Sequence, residues 1–390
     1  MKEEFSMKKV LLVLLAAALL GSLVSCAPAG SSSSAVESVI PRASSAPQTS
    51  SLAPSKPGVV GLSFDYASIF VDGIAVAGNF DESGSMKMGL IDKEGNAVVP
   101  FVYYDIGYFT EGIAVARKEE EGKFGCIDET GKEIVPFEYD LIYPFSNGLA
   151  AVRNNIDGED LYGYVDKQGK LALPFLYGYA TAFDDNGFAV VRKKDEDEKI
   201  LINKQGEEIS GFRYTDIMPL GKGFYWVTND SQNGPSKYFL VDKNGAKIPD
   251  FDYNPYYGGS FSEGLAAVKK DDKCGYVDTS LQEAIPCTYD EARDFRDGLA
   301  AVRVGSQWGF LDPDGKEVIA PQYDACYSFR DGMAAVQKDK KWGFIDKTGK
   351  VVIPLIYEDK NREDEVIIGS GEGLALIQEY GKYTYLAPES

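Results

Sequence analysis

The chain has 390 residues, with 40 Lys and Arg against 60 Asp and Glu, a formal net charge of −20 and no histidine. So acidic a surface repels phosphate backbones and anionic headgroups, which argues against nucleic acid as a partner. The missing histidine excludes the commonest general base, the Ser-His and Cys-His nucleophile pairs and histidine-ligated zinc, leaving carboxylates, Tyr or Lys for any catalysis.

At the N-terminus, Lys8 and Lys9 precede the apolar run from Val10 to Leu20. That run has the length of a signal-peptide core and is too short to span a bilayer. Leu23-Val24-Ser25-Cys26 closes it and resembles a bacterial lipobox. The resemblance implies cleavage before Cys26, diacylglycerol on its sulfur and attachment to the outer face of a bacterial membrane; an ordinary secretory signal with a chance cysteine is the blander reading. Losing residues 1–25 removes three Lys and two Glu, leaving a net charge of −21. Residues 27–57 are rich in Ser, Ala and Pro. Such a stretch buries no apolar surface and is expected to be an extended tether. The expected layout is a leader over 1–25, a lipidated Cys26 with its tether over 26–58, and a folded body over 59–390.

That body repeats. A glycine opens each unit at Gly73, Gly112, Gly148, Gly187, Gly223, Gly264, Gly298, Gly332 and Gly373, a spacing of 34–41 residues. A fixed period of that size means stacked supersecondary units. Within a unit, as in Gly332 to Tyr357, short apolar runs alternate with Gly- and Asp-bearing turns, the pattern of hairpins. Asp-x-x-Gly recurs at Asp92, Asp128, Asp166, Asp242, Asp312 and Asp346. Asp accepts backbone hydrogen bonds at the start of such a turn and Gly takes the left-handed position. Pro-x-x-Tyr then ends units at Pro136, Pro174, Pro286 and Pro354. Strands apolar on both faces need cover on both, so each unit depends on its neighbours. The prediction is an all-β array of about nine units with three to four strands each.

The Trp-Gly-Phe-x-Asp-x-x-Gly-Lys-x-Val-Ile-Pro core at Trp342, with Gly-Met-Ala-Ala-Val before it, resembles the WG (KWG) repeat family of bacterial proteins. The match spans 59–390, is strong over 264–357 and is weaker over 178–258. It implies a β-rich repeat fold, usually with no assigned enzymatic activity. Trp fills the motif position only at Trp308 and Trp342, while Phe124, Tyr162 and Cys274 take it elsewhere.

The chain starts and ends in mid-unit. Val59 to Gly73 matches Val318 to Gly332, including Phe64 with Tyr323 and Asp72 with Asp331, whereas 373–390 is a first half. Pairing the two halves makes a ninth unit and closes a propeller-like ring, removing exposed strand edges. An open β superhelix is the alternative.

Several residues invite a functional reading. The repeated Asp residues, Asp278 among them, suggest calcium, but one Asp per turn lacks the oxygen density that calcium needs, so no metal is expected. Trp226, Trp308 and Trp342 are candidates for stacking on sugars, with core packing as the blander account. Cys274 and Cys287 flank the turn at 278–283 and form a possible disulfide if the side chains converge. Cys126 and Cys274 fill slots held by aromatic residues in sister units and read, on the blander account, as small core residues, while Cys326 has no obvious partner. The charged run Lys193–Lys199 reads as a solvated loop, and the charged insertion over 358–372 as a site for partner contacts. No catalytic residue, cofactor or metal is assigned. The expected function is a non-catalytic, membrane-anchored envelope protein that binds a protein or peptide. A glycan-binding protein is the alternative, and a carboxylate-based glycosidase the lesser one.

Overall fold

The computed structural model describes residues 59–209, 211–229, 238–256, 260–358, 367–379 and 381–388. The leader, Cys26, the tether and positions 359–366 of the charged insertion lie outside them. Every regular element among the described residues is a β-strand. In the first unit these are an inner strand Tyr66–Ala67, a second strand Ala75–Phe80, a third Met86–Ile91 and an outer strand Ala97–Tyr103, hydrogen-bonded in that order. The same up-and-down order recurs in unit 2 (105–139), unit 3 (141–177), unit 6 (254–289), unit 7 (291–323) and unit 8 (325–358).

Eight sheets stand as blades in a ring, and one of them, six-stranded, carries two units. Its long strand Leu171–Ala180 serves both. Tyr177 pairs with Tyr162 as the outer strand of unit 3, while Tyr179 and Ala180 pair with Arg192 and Val191 as the inner strand of unit 4 (178–214). Unit 5 (216–253) keeps three strands. The ninth unit is composite: Ile367–Gly371, Leu374–Glu379 and Lys382–Leu386 come from the C-terminus, and Val59–Phe64 adds the outer strand.

The apolar packing shows that the ring is closed. The described residues form nine apolar clusters, one at each junction between successive units. The closing junction is as full as the rest, with Phe64, Leu376 and Tyr385 packed on Ala67, Phe70 and Ala77. An open superhelix leaves one junction bare. The two ends of the chain instead bury each other.

Two glycine positions explain the repeat. Trp342 pairs with Tyr357 and Phe344 with Ile353, so three residues of the third strand face five of a bulged outer strand. The bulge crosses over Gly343, where a Cβ would sit 2.6 Å from the Ile353 carbonyl oxygen. Bulges of this kind bend an edge strand and free it from its ladder. Pro100, Pro136, Pro174, Pro286 and Pro354 sit in these bulges on the rim, where a residue without an N–H discourages edge-to-edge pairing. The opening glycine does a different job. Asp72 and Gly73 have φ of 52° and 81°, and Val71 pairs with Ile74 across them. Two left-handed residues in succession make the type I′ hairpin turn, which favours Asp, Asn and Gly.

Candidate functional site

Inner-to-second and third-to-outer turns lie on one face of the ring. Second-to-third hairpins and the links between units lie on the other. On the first face the turns lock successive units together. Gly148 N–H donates to Glu111 at 3.1 Å and Lys167 approaches the same carboxylate at 2.9 Å. Gly298 N–H donates to Glu263 at 2.9 Å, and Gly332 N–H to Asp297 at 2.6 Å. At the seam, Glu372 accepts from Gly73 N–H at 2.8 Å and pairs with Lys93 at 2.8 Å. The Lys93 ammonium holds the Glu372 carboxyl below its ordinary range. At these four junctions the acid of one inner turn is thus clasped by the opening glycine of the next unit, and at three of them by a lysine as well.

The Asp-x-x-Gly turns on this face are held by their own carboxylates. Asp346 Oδ1 accepts from Thr348 N–H at 2.9 Å and Lys350 N–H at 3.0 Å. Asn203 does the same for Gln205 and Glu207. The side-chain oxygen is spent on the turn, which accounts for the recurring Asp without calcium.

The opposite face varies from unit to unit. Its hairpins are two-residue turns at Asp157-Gly158 and Asp271-Asp272, whereas 81–85 and 118–123 make longer loops. Apolar side chains stand at several tips: Phe80 is 55% exposed, Val304 50% and Ile156 37%. Behind the tips, the lysine that precedes the motif position pairs with the Asp that follows the outer strand. Lys123 meets Asp140 at 2.5 Å, Lys273 meets Asp290 at 2.6 Å, and Lys382 meets Asp65 at 2.5 Å across the seam.

The predicted aromatic site does not assemble. Trp226 is 2% exposed among Leu220 and Leu240, and Trp308 is 7% exposed with the Arg293 guanidinium 4.8 Å over its ring. Neither offers a free face to a sugar. Trp342 is half-buried and its ring lies 5.6 Å from that of Tyr327.

The predicted Cys274–Cys287 disulfide is also corrected, since both thiols are free. Cys274 lies opposite Tyr289, and the bulge at 286–288 turns Cys287 to the other side of the sheet. Cys274 packs towards unit 7 with Phe295, while Cys287 packs towards unit 5 with Trp226. Burial raises both thiols, Cys287 to about 11. Cys126 and Cys326 are buried and pushed up to about 12 by desolvation, so they stay protonated core residues.

Within the charged run, Lys193 and Lys194 pair with Glu208 and Glu159, and Glu196 with Arg213. The insertion falls mostly outside the described residues. Sequence reasoning passed over the inner turn of unit 4. There Asp184 accepts from Asn186 N–H at 2.9 Å and Phe188 N–H at 3.0 Å, which is the Asp-x-x-Gly turn in place of the two-residue one. The signal was legible, because Asp184-Asp185-Asn186-Gly187 spells that motif at an opening glycine.

The chain matches the family model described as WG containing repeat over 88–121, 124–155, 162–196, 201–232, 238–274, 275–308, 308–342 and 342–383. No curated protein matches. Among solved structures, apo AztD from Citrobacter koseri is similar at 12% identity over 70% of this chain and 88% of that one, with a TM-score of 0.37. Virginiamycin B lyase from Staphylococcus aureus is similar at 11% identity over 72% and 93%, with a TM-score of 0.29. Likenesses this distant add nothing on function. The eight tandem matches cover most of the folded body, and the chain belongs to the WG repeat family.

Proposed function

We propose that this is a non-catalytic, lipid-anchored protein of the bacterial envelope that binds a protein or peptide partner through the face of variable hairpins. The observation that carries the reading is the contrast between the faces. One is locked by the same clasp at several junctions. The other differs in hairpin length from unit to unit and exposes Phe80, Ile156 and Val304. Variable loops on one face of a rigid repeat are where partners bind. Orientation supports it. Val59 opens an outer strand paired with Leu386, so the described chain enters the ring at the clasped face and not among the hairpins. The carboxyls that burial raises, Asp105, Asp184 and Asp294, stand in different units rather than as an acid/base pair.

The test is a pulldown from detergent-solubilised envelopes. The chain is expected to retain a protein that the Phe80→Ser, Ile156→Ser, Val304→Ser variant loses. Recovery of nothing above control, or equal recovery by both, rejects the partner. Separately, Cys26→Ser is expected to release the chain from the membrane fraction, and retention there rejects the lipid anchor.

A further inference from the structure

Unit 4 breaks the repeat where the clasp should be. Lys93, Lys167 and Lys347 each approach an acid in the inner turn of the preceding unit. Lys204 holds the same position in unit 4, but the residue it meets is Asn147, whose Oδ1 lies 3.5 Å away. A neutral amide leaves the ammonium without the acid that Lys93, Lys167 and Lys347 each find. The inner turn is also longer here and projects Asp185 and Asn186 into solvent. It is held rigidly from behind: Asp184 accepts from the buried Tyr225 hydroxyl at 2.5 Å, and Asn147 Nδ2 donates to the Asp184 carbonyl at 2.5 Å. Between these parts lies an open hollow of about 340 Å³, lined by Asn147, Asp185, Asn186, Phe188, Lys204 and Gln205 among others.

We infer that this hollow is a subsite for a short saccharide. Its chemistry fits one. Side-chain amides, a carboxylate and an ammonium alternate around it, and such groups donate to and accept from neighbouring hydroxyls. The half-buried Phe188 ring supplies an apolar surface of the kind a sugar face packs on. A phosphate is disfavoured by Asp185, and a cation by Lys204 and by Lys222, whose ammonium is 3.9 Å from Asp185. In a ligand cleft it is a few convergent polar groups beside an apolar surface that fix orientation. This inference is independent of the partner proposed for the hairpin face.

The test uses the whole chain with Cys26→Ser and saturation-transfer difference NMR against maltotriose, cellotriose and chitotriose. At least one is expected to receive saturation. Asn186→Ala and Gln205→Ala, both at exposed turn positions, are each expected to weaken it about fivefold, the worth of one hydrogen bond. Asn147→Glu supplies the acid found in the sister turns, so it is expected to capture Lys204 and abolish binding without loss of thermal stability. Glu111 tolerates the same left-handed backbone at φ 54°. Absence of transfer from all three trisaccharides overturns the inference. So does transfer that Asn147→Glu leaves unchanged in a folded chain.

Discussion

Gly309 and Gly298 are both glycines of unit 7, yet their alanine variants should behave differently. At Gly309 a Cβ would lie 2.5 Å from the Ile319 carbonyl oxygen and 2.6 Å from Pro321 N, both backbone atoms of the crossing bulge. Neither can swing aside, so Gly309→Ala is expected to cost about 3 kcal/mol by overpacking. At Gly298 nothing lies within 4 Å, but φ is +79°, so Gly298→Ala should cost about 1 kcal/mol of left-handed strain. Urea midpoints of the two variants decide it, and equal losses would refute the bulge account. Asp294 offers a test with a sign. Burial raises its carboxyl to about 6, so the folded chain binds a proton more tightly than the unfolded one. Its contribution is therefore full below the ordinary carboxylate range and is lost as pH rises through 6. Asp294→Asn should gain about 3 kcal/mol at pH 8 and nothing at pH 3. Most residue roles could be read directly: the opening glycines, the turn Asp residues and the core Tyr of Pro-x-x-Tyr recur in phase. The cysteine pairing could not, because a bulge is invisible to hairpin counting and reverses which side Cys287 faces.

Hairpins and strands are positioned by contacts that no single unit contains. The clasp is an example: Glu372 from the last unit receives Gly73 N–H and Lys93 from the first. Its carboxyl is held low, chiefly by Lys93, so its contribution is present above the ordinary glutamate range and disappears as pH falls through the lowered value. The pair is partly exposed, with side chains 43% and 25% accessible, which limits it to about 0.5 kcal/mol after screening. Glu372→Gln should thus lower the urea midpoint slightly at pH 7 and leave it unchanged at pH 3. Loss of the same size at both would mean that packing, not charge, is at stake. Sequence showed the elements of this clasp but not the clasp, since spacing does not say that an acid reaches the following unit. In unit 4 the longer inner turn was written as Asp184-Asp185-Asn186-Gly187. Its importance became visible only once the neighbouring turn, with Asn147 in place of an acid, stood beside Lys204.

At the scale of the whole molecule, closure determines how the ring comes apart. Repeat arrays gain stability from nearest-neighbour interfaces, and an open array frays from its ends. Here both ends are in the same sheet: Val59–Phe64 pairs with Lys382–Leu386, and Phe64 is 5% exposed in the junction with unit 1. No unit can leave without opening two filled junctions, or else parting this seam first. The intact ring is therefore expected to unfold in one transition, seen alike by far-ultraviolet circular dichroism and by tryptophan fluorescence. Removing 59–64 strips the outer strand from unit 9 and uncovers the Leu376 and Tyr385 side of the seam. That variant should then fray from unit 9. The tryptophans report where, because Trp342 stands in unit 8 beside the seam and Trp226 in unit 5 far from it. With each as the sole tryptophan, the shortened chain should lose the Trp342 signal at lower urea than the Trp226 signal, while in the full chain the two curves coincide. Separated curves in the full chain would mean that the seam contributes no cooperativity. The ring would then be closed in shape only.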